Sequence, residues 1–124
     1  MIYHIVAGEE MKNLLKNRLK SIPFNEDMSK GAFTSEPFSN TFVEERSLVH
    51  GVTTEEYISN MSELFTLISK VKEKDIIHLY FGDDEVCLAN RGFLINYFKD
   101  KVDSIYFHLM NEYEGIELSV VRVK

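Results

Sequence analysis

Three small clusters of carboxylates and amides punctuate this chain, each directly after an apolar run. Gly8-Glu9-Glu10 follows residues 2–7, Asn25-Glu26-Asp27 follows 22–24, and Gly82-Asp83-Asp84 follows 76–81. Grouped carboxylates can hold a hard cation through oxygen, accept hydrogen bonds from hydroxyls and amines, or move protons. Glu9, Asp83 and Asp84 are the set that would take Mg²⁺ and so support hydrolysis or transfer on a phosphoester. Gly8, at a turn from strand to helix, lets a ligand approach the backbone. Asp27, Asp83 and Asn90 can hydrogen-bond a polar ligand, and Arg46 or Arg91 can grip an anionic group with two parallel bonds.

Each cluster also has a plainer reading. Glu9 and Glu10 complement the dipole of the helix they open. Asp83 or Asp84 can cap the next helix, and Asn25–Gly31 holds the residues that make turns. One glycine after the first strand is not the three-glycine dinucleotide fingerprint. The four histidines (His4, His50, His78 and His108) lack the spacing of a zinc set. Cys87, in the first turn of a helix, is a conceivable nucleophile whose neighbouring acids oppose thiolate formation. It is the one cysteine, so no disulfide forms within the chain.

The elements that would position these residues follow from periodicity. Residues 2–7, 21–24, 75–81 and 104–110 read as strands. Residues 9–20 carry apolar positions 11, 14, 15 and 19, with acids first and bases last, as a helix does. Thr41 with Glu44, and Gly51 beyond, predict a short helix over 42–50. Thr53 with Glu56 opens a longer helix whose core stripe is Tyr57, Met61, Leu64, Ile68 and Val71. Residues 85–99 read as a helix burying Val86, Ala89, Phe93 and Tyr97. The strand at 115–123 must return antiparallel, because only a few residues separate it from its predecessor. Residues 25–39 form a long loop whose Phe33 and Phe38 either fold it onto the body as a cover or offer an exposed surface.

Helices alternating with strands predict a single α/β domain over 1–124. It is a three-layer sandwich with a mainly parallel, Rossmann-like sheet of about five strands and an antiparallel C-terminal strand. The strand ends then gather all three clusters at one sheet edge, where open α/β sheets bind ligands. In 124 residues the net charge is −6, which disfavours broad affinity for nucleic acid or anionic membrane. No run approaches the ~20 apolar residues of a membrane span, and the N-terminus lacks the pattern of a secretory signal. A cytoplasmic, soluble protein is expected.

An acid after the first strand with an acidic pair after a later one resembles the Toprim arrangement of nucleases and primases, but Asp83 and Asp84 are adjacent where Toprim has Asp-x-Asp. The whole chain is also similar to the bacterial family named domain of unknown function 1835. The opening His4-Ile5-Val6-Ala7-Gly8-Glu9, the turn Phe24–Ala32 (Ala32 standing where proline is usual), Arg46, Leu79–Asp84 with Tyr80 at the usual tryptophan, Cys87 and Asn90 carry that likeness. The family has no settled activity. The resemblance implies that Gly8, Asp27, Gly31, Asp83 and Asn90 share one site, and that longer relatives carry a second domain missing here.

Three functions are therefore open. The domain binds a small polar, nucleotide-like ligand at the sheet edge with Gly8, Glu9, Asp27, Gly31, Arg46, Asp83, Asn90 and Arg91. Alternatively it is a Mg²⁺-dependent enzyme through Glu9, Asp83 and Asp84. Or it binds a protein partner, a second copy included, through Phe33, Phe38 and the strand at 115–123.

Overall fold

The computed structural model describes residues 1–124. Its order is β1 (Ile2–Val6), α1 (Glu9–Leu15), β2 (Ile22–Pro23), α2 (Asn40–His50), α3 (Thr54–Asn60), α4 (Ser62–Lys70), β3 (Ile76–Phe81), α5 (Glu85–Phe98), β4 (Ser104–Asn111) and β5 (Ile116–Arg122). One five-stranded sheet runs β2-β1-β3-β4-β5. Its first three pairings are parallel and β4–β5 is antiparallel. The expected α/β sandwich is thus the observed one, and no helix is long and apolar enough to cross a membrane.

The chain leaves β1 toward β2 on one side and returns to β3 on the other. Right-handed crossovers in opposite directions put α1 and α5 on opposite faces. The layers are unequal. Ile5, Ile77, Leu79, Phe81, Ile105 and Phe107 face the large core with α2, α3, α4 and α5. Val6, Tyr80 and Met110 face a small core closed by Met11 and Leu15 of α1 and by Leu19 beyond it. Beyond α1 that second face shows a row of rings. His4 pairs with His78 and His78 with Tyr106 in register, and Tyr80 stacks on His108 at 4.2 Å.

Local signals set most boundaries. Thr53 and Glu56 make the expected capping box, and Gly51 closes α2 in the left-handed conformation. The cap of α2 is Ser39, whose hydroxyl accepts from the Phe42 N–H, so the helix begins before the Thr41 signal. The helix expected from residue 54 onward is broken at Met61 (φ −105°, ψ 9°) into α3 and α4. Of the expected stripe, Tyr57, Met61 and Leu64 are buried while Ile68 and Val71 are only partly so, and Leu67 is buried beside them. The α1 helix ends at Leu15 instead of residue 20, and the chain turns at 16–18. On α5 the buried face is Cys87, Asn90, Leu94 and Phe98, one position beyond the stripe read from periodicity; Val86 is exposed.

The long loop is folded onto the body. Phe33 packs edge-on against Phe42 and Phe93, and Phe38 against Phe65, Phe93 and Tyr97. Phe38 holds φ at 67°, a conformation unfavourable for a bulky side chain, which its packing in this aromatic cluster offsets. Phe33 and Phe38 are therefore partly buried, core-supporting residues and not a freely exposed partner surface. Glu45 of α2 ties the loop further by accepting from the Thr34 and Ser35 backbone N–H groups at 2.9 and 3.2 Å.

Candidate functional site

The C-terminal edge of β2 is built around a buried carboxylate. Glu26, just beyond the strand, receives two bonds from Arg46 of α2: Nε to Oε2 at 3.0 Å and Nη2 to Oε1 at 2.9 Å. The Tyr57 hydroxyl of α3 donates to Oε2 at 2.5 Å, and His50 Nε2 meets Oε1. The Asp27 backbone N–H donates to Oε1 at 2.8 Å. Burial alone would raise the Glu26 pKa. The bonds from Arg46, Tyr57, Asp27 and His50 outweigh it and hold the carboxyl below its ordinary range. Tyr57 is pushed the other way, by burial and by the Glu26 charge, and stays a phenol.

A second clamp fixes the same segment from α5. Asn90 is buried, its amide N–H donates to the Glu26 carbonyl at 2.8 Å, and its side-chain oxygen accepts from the Met28 N–H at 2.8 Å. Arg46 completes the set by donating to the carbonyls of Asp27 and Lys30 at 2.8 and 2.9 Å. Gly31, at φ 64°, lies so close to α2 that a Cβ there would meet Val49 Cγ2 at 2.6 Å.

Three clefts open at this edge: two share Ala7 and Gly8, and the third, of about 480 Å³, lies among Glu9, Asn25, Asn60 and Glu63. The first, of about 320 Å³, is walled by Phe24–Asp27, by His50 at the end of α2 and Val52 beyond it, and by Tyr57 and Asn60 of α3. Gly8 has φ 144°, and a Cβ would find only Asn25 Oδ1 at 3.9 Å, so backbone is left bare at the cleft wall. Asn25 bridges the walls, donating to Glu9 Oε1 at 3.1 Å and to the Asn60 carbonyl at 3.0 Å. His50 keeps a quarter of its side chain exposed, and its Nδ1 has no partner in the chain. The second cleft, of about 330 Å³, lies at the point where the strand order reverses and is walled by the acids Glu9, Glu10, Asp84 and Glu112 together with Met11, Val86 and Cys87. A larger hollow of about 490 Å³, by Met1–His4, Lys20 and Thr66, lies at the amino ends of the strands, opposite to this edge.

The structure sorts the expected site residues accordingly. Gly8 and Asp27 line the first cleft and Glu9 the second. Arg46 has no exposed surface and its donors are used within the chain, so it is no anion receptor for a ligand. Asn90 is buried, holds the loop and is likewise not open to a ligand, while Gly31 is exposed but lines none of the clefts. Arg91 lies over the Phe107 ring at 4.4 Å, on the large-core side of the sheet and away from the clefts. Asp83 is exposed and lines none of the clefts, while Asp84 is the cap of α5, accepting from the Cys87 N–H at 2.7 Å.

Glu9, Asp83 and Asp84 do not converge as a cation set. The one group of ligand atoms within 4.8 Å of one another joins Asp84 to Cys87 and Glu112. There the Cys87 thiol donates to Glu112 Oε1 at 2.8 Å. Burial and the Glu112 bond push that thiol far up, so Cys87 is no ready nucleophile. Glu112 lies directly across Gly82, where a Cβ would clash with its carboxylate. Burial, together with the nearby Asp84 charge, raises the Glu112 pKa, whereas the Cys87 N–H bond lowers that of Asp84.

Periodicity could not single out Glu26, His50, Tyr57 and Asn60 as neighbours. A carboxylate directly after a strand is the one available signal, and Tyr57 reads as core because its ring is core, which hides the buried bond from its hydroxyl to Glu26. Comparison of the chain with protein-family models, with curated proteins and with solved structures finds no match.

Proposed function

We propose that this domain binds a small polar ligand at the C-terminal edge of its sheet, in the cleft between Gly8, Asp27 and His50. The observation that carries this reading is the pre-organised wall: a bare glycine backbone faces polar side chains, behind which Arg46, Tyr57 and Asn90 immobilise Glu26 and its loop. Rigid placement of a few polar groups in a concave site is how small-molecule sites gain selectivity. The groups that converge are Asp27, His50 and the amides of Asn25 and Asn60, with Glu9 close by. They match hydroxyl and amine donors better than phosphate. Within a nucleotide-like class, the nucleoside portion suits these groups. The likeness to the domain of unknown function 1835 family is part of the same proposal; of the five residues it groups, Gly8 and Asp27 line the proposed cleft, and Gly31, Asp83 and Asn90 do not.

A thermal-shift panel of nucleosides, nucleotides, sugars and polyamines tests it. A ligand at about 100 times its Kd stabilises by roughly 2.7 kcal/mol, a shift of several degrees for a domain of this size. The shift should disappear in Asp27→Ala and His50→Ala. A shift that persists in both variants, or none with any compound, would count against the cleft.

A further inference from the structure

The two edges of the sheet are not alike. The β2 edge has two residues and packs beside α1 and α4, so it offers little to pair with. The β5 edge has seven residues, all exposed. Ile116, Leu118, Val120, Val121 and Val123 are between 40% and 61% exposed, which leaves apolar surface on both faces of the strand. A last strand also turns a row of backbone N–H and C=O groups outward, and natural edges are usually blunted by proline, lysine or a covering segment. Here there is no proline in β5, and nothing covers it. The nearest lysine, Lys124, folds its ammonium back to the carbonyls of Lys99 and Val102.

We propose that β5 pairs antiparallel with β5 of a second copy of this chain, joining two five-stranded sheets across a two-fold axis. The charge pattern selects that occupant and that direction. Glu117 and Arg122 stand near opposite ends of the strand; Glu117 meets His108 through Oε1 and Arg122 donates to the Lys124 carbonyl and Ser104 Oγ, which leaves Glu117 Oε2 and Arg122 Nη1 for a further partner. The register shift between Leu109 and Met110 places both on the face of the sheet that carries Tyr106, since Arg122 pairs with Tyr106 and Glu117 with Met110. Antiparallel self-pairing then sets Glu117 of each copy alongside Arg122 of the other, twice in one interface. Parallel self-pairing would lay like charges together, which is unfavourable for residues directly opposite in a sheet. A strand whose charges are complementary to its own reverse matches another copy of itself. Pairing also removes the exposed aliphatic residues from water, the term that drives association.

Sedimentation velocity of the whole chain across the micromolar range tests the proposal, with far-UV circular dichroism checking the fold of each variant. The expected result is a species of twice 14.4 kDa that dissociates on dilution. Glu117→Arg and Arg122→Glu should each weaken the dimer at least tenfold, and the two combined should restore it. Leu118→Lys with Val121→Lys, which touches no side-chain hydrogen bond, should give a folded monomer. A wild-type chain that stays monomeric throughout the range would overturn the proposal. So would a combined charge reversal no tighter than either single one, or a dimer that survives both lysines.

Discussion

Glu26 and Arg46 meet side-on, two nitrogens to two oxygens, with neither side chain exposed to solvent. The pair links the end of β2 to the middle of α2 and sets the wall of the proposed cleft. A paired buried charge is tolerated; a lone one is not. Arg46→Met should therefore cost about 3–5 kcal/mol, because it strands a carboxylate in the interior. Glu26→Gln with Arg46→Met should cost less than Arg46→Met alone. Urea denaturation of the wild type and the two variants measures both, and equal losses would show that the stranded charge is not the cause.

Asn90 makes a different kind of link, from α5 to backbone groups on either side of Asp27. Asn90→Ala leaves a buried carbonyl and a partly buried N–H without partners, each costing roughly 1–3 kcal/mol if left unmade. The expected outcome is a lower denaturation midpoint and faster protease cleavage between residues 25 and 39. Unchanged cleavage would mean that Phe33 and Phe38 alone hold the loop.

Gly31→Ala combines a left-handed backbone with a contact of 2.6 Å to Val49 Cγ2. Loss of about 1–3 kcal/mol follows from such overpacking. Adding Val49→Ala should recover the steric part and leave the backbone part, so the two substitutions should not be additive. Additive losses would contradict the contact.

Stability should fall on acidification in two stages. His4 and His78 lie on the open sheet face, their pKa values lowered first by burial and then by His108. A histidine whose folded pKa is depressed binds fewer protons when folded, so its contribution is full above the ordinary value near 6.5 and is lost as pH falls through the folded value. The carboxyl of Glu26, also depressed, contributes fully above its unfolded pKa near 4.3 and loses that contribution at lower pH. Denaturation midpoints from pH 8 downward should decline first below about 6.5 and again below about 4.3. His4→Gln with His78→Gln should flatten the first decline and leave the second.

Much of the fold was legible because it rests on local signals. Apolar runs closed by Gly8 and Gly82 marked strands, Thr53 with Glu56 marked a helix start, and the short gap before residue 116 forced an antiparallel return. The site was legible only in outline. Arg46 reads as a surface cation until α2 is laid against the loop, and its burial is a tertiary fact with no periodic trace. The buried face of α5 was read one position off because Asn90, a polar residue, points inward and Val86, an apolar one, points out. The acids gathered at one edge as expected, yet each found a separate partner: Asn25 for Glu9, α5 for Asp84, Arg46 for Glu26.

The most direct measurement is amide shift mapping by ¹H–¹⁵N NMR during titration with adenosine and, separately, with AMP. Binding in the proposed cleft predicts saturable shifts concentrated at Gly8, Asn25–Asp27, His50–Val52 and Asn60, larger for adenosine than for AMP at equal concentration. Saturable shifts elsewhere on the surface, or none at these residues with either compound, would contradict the account.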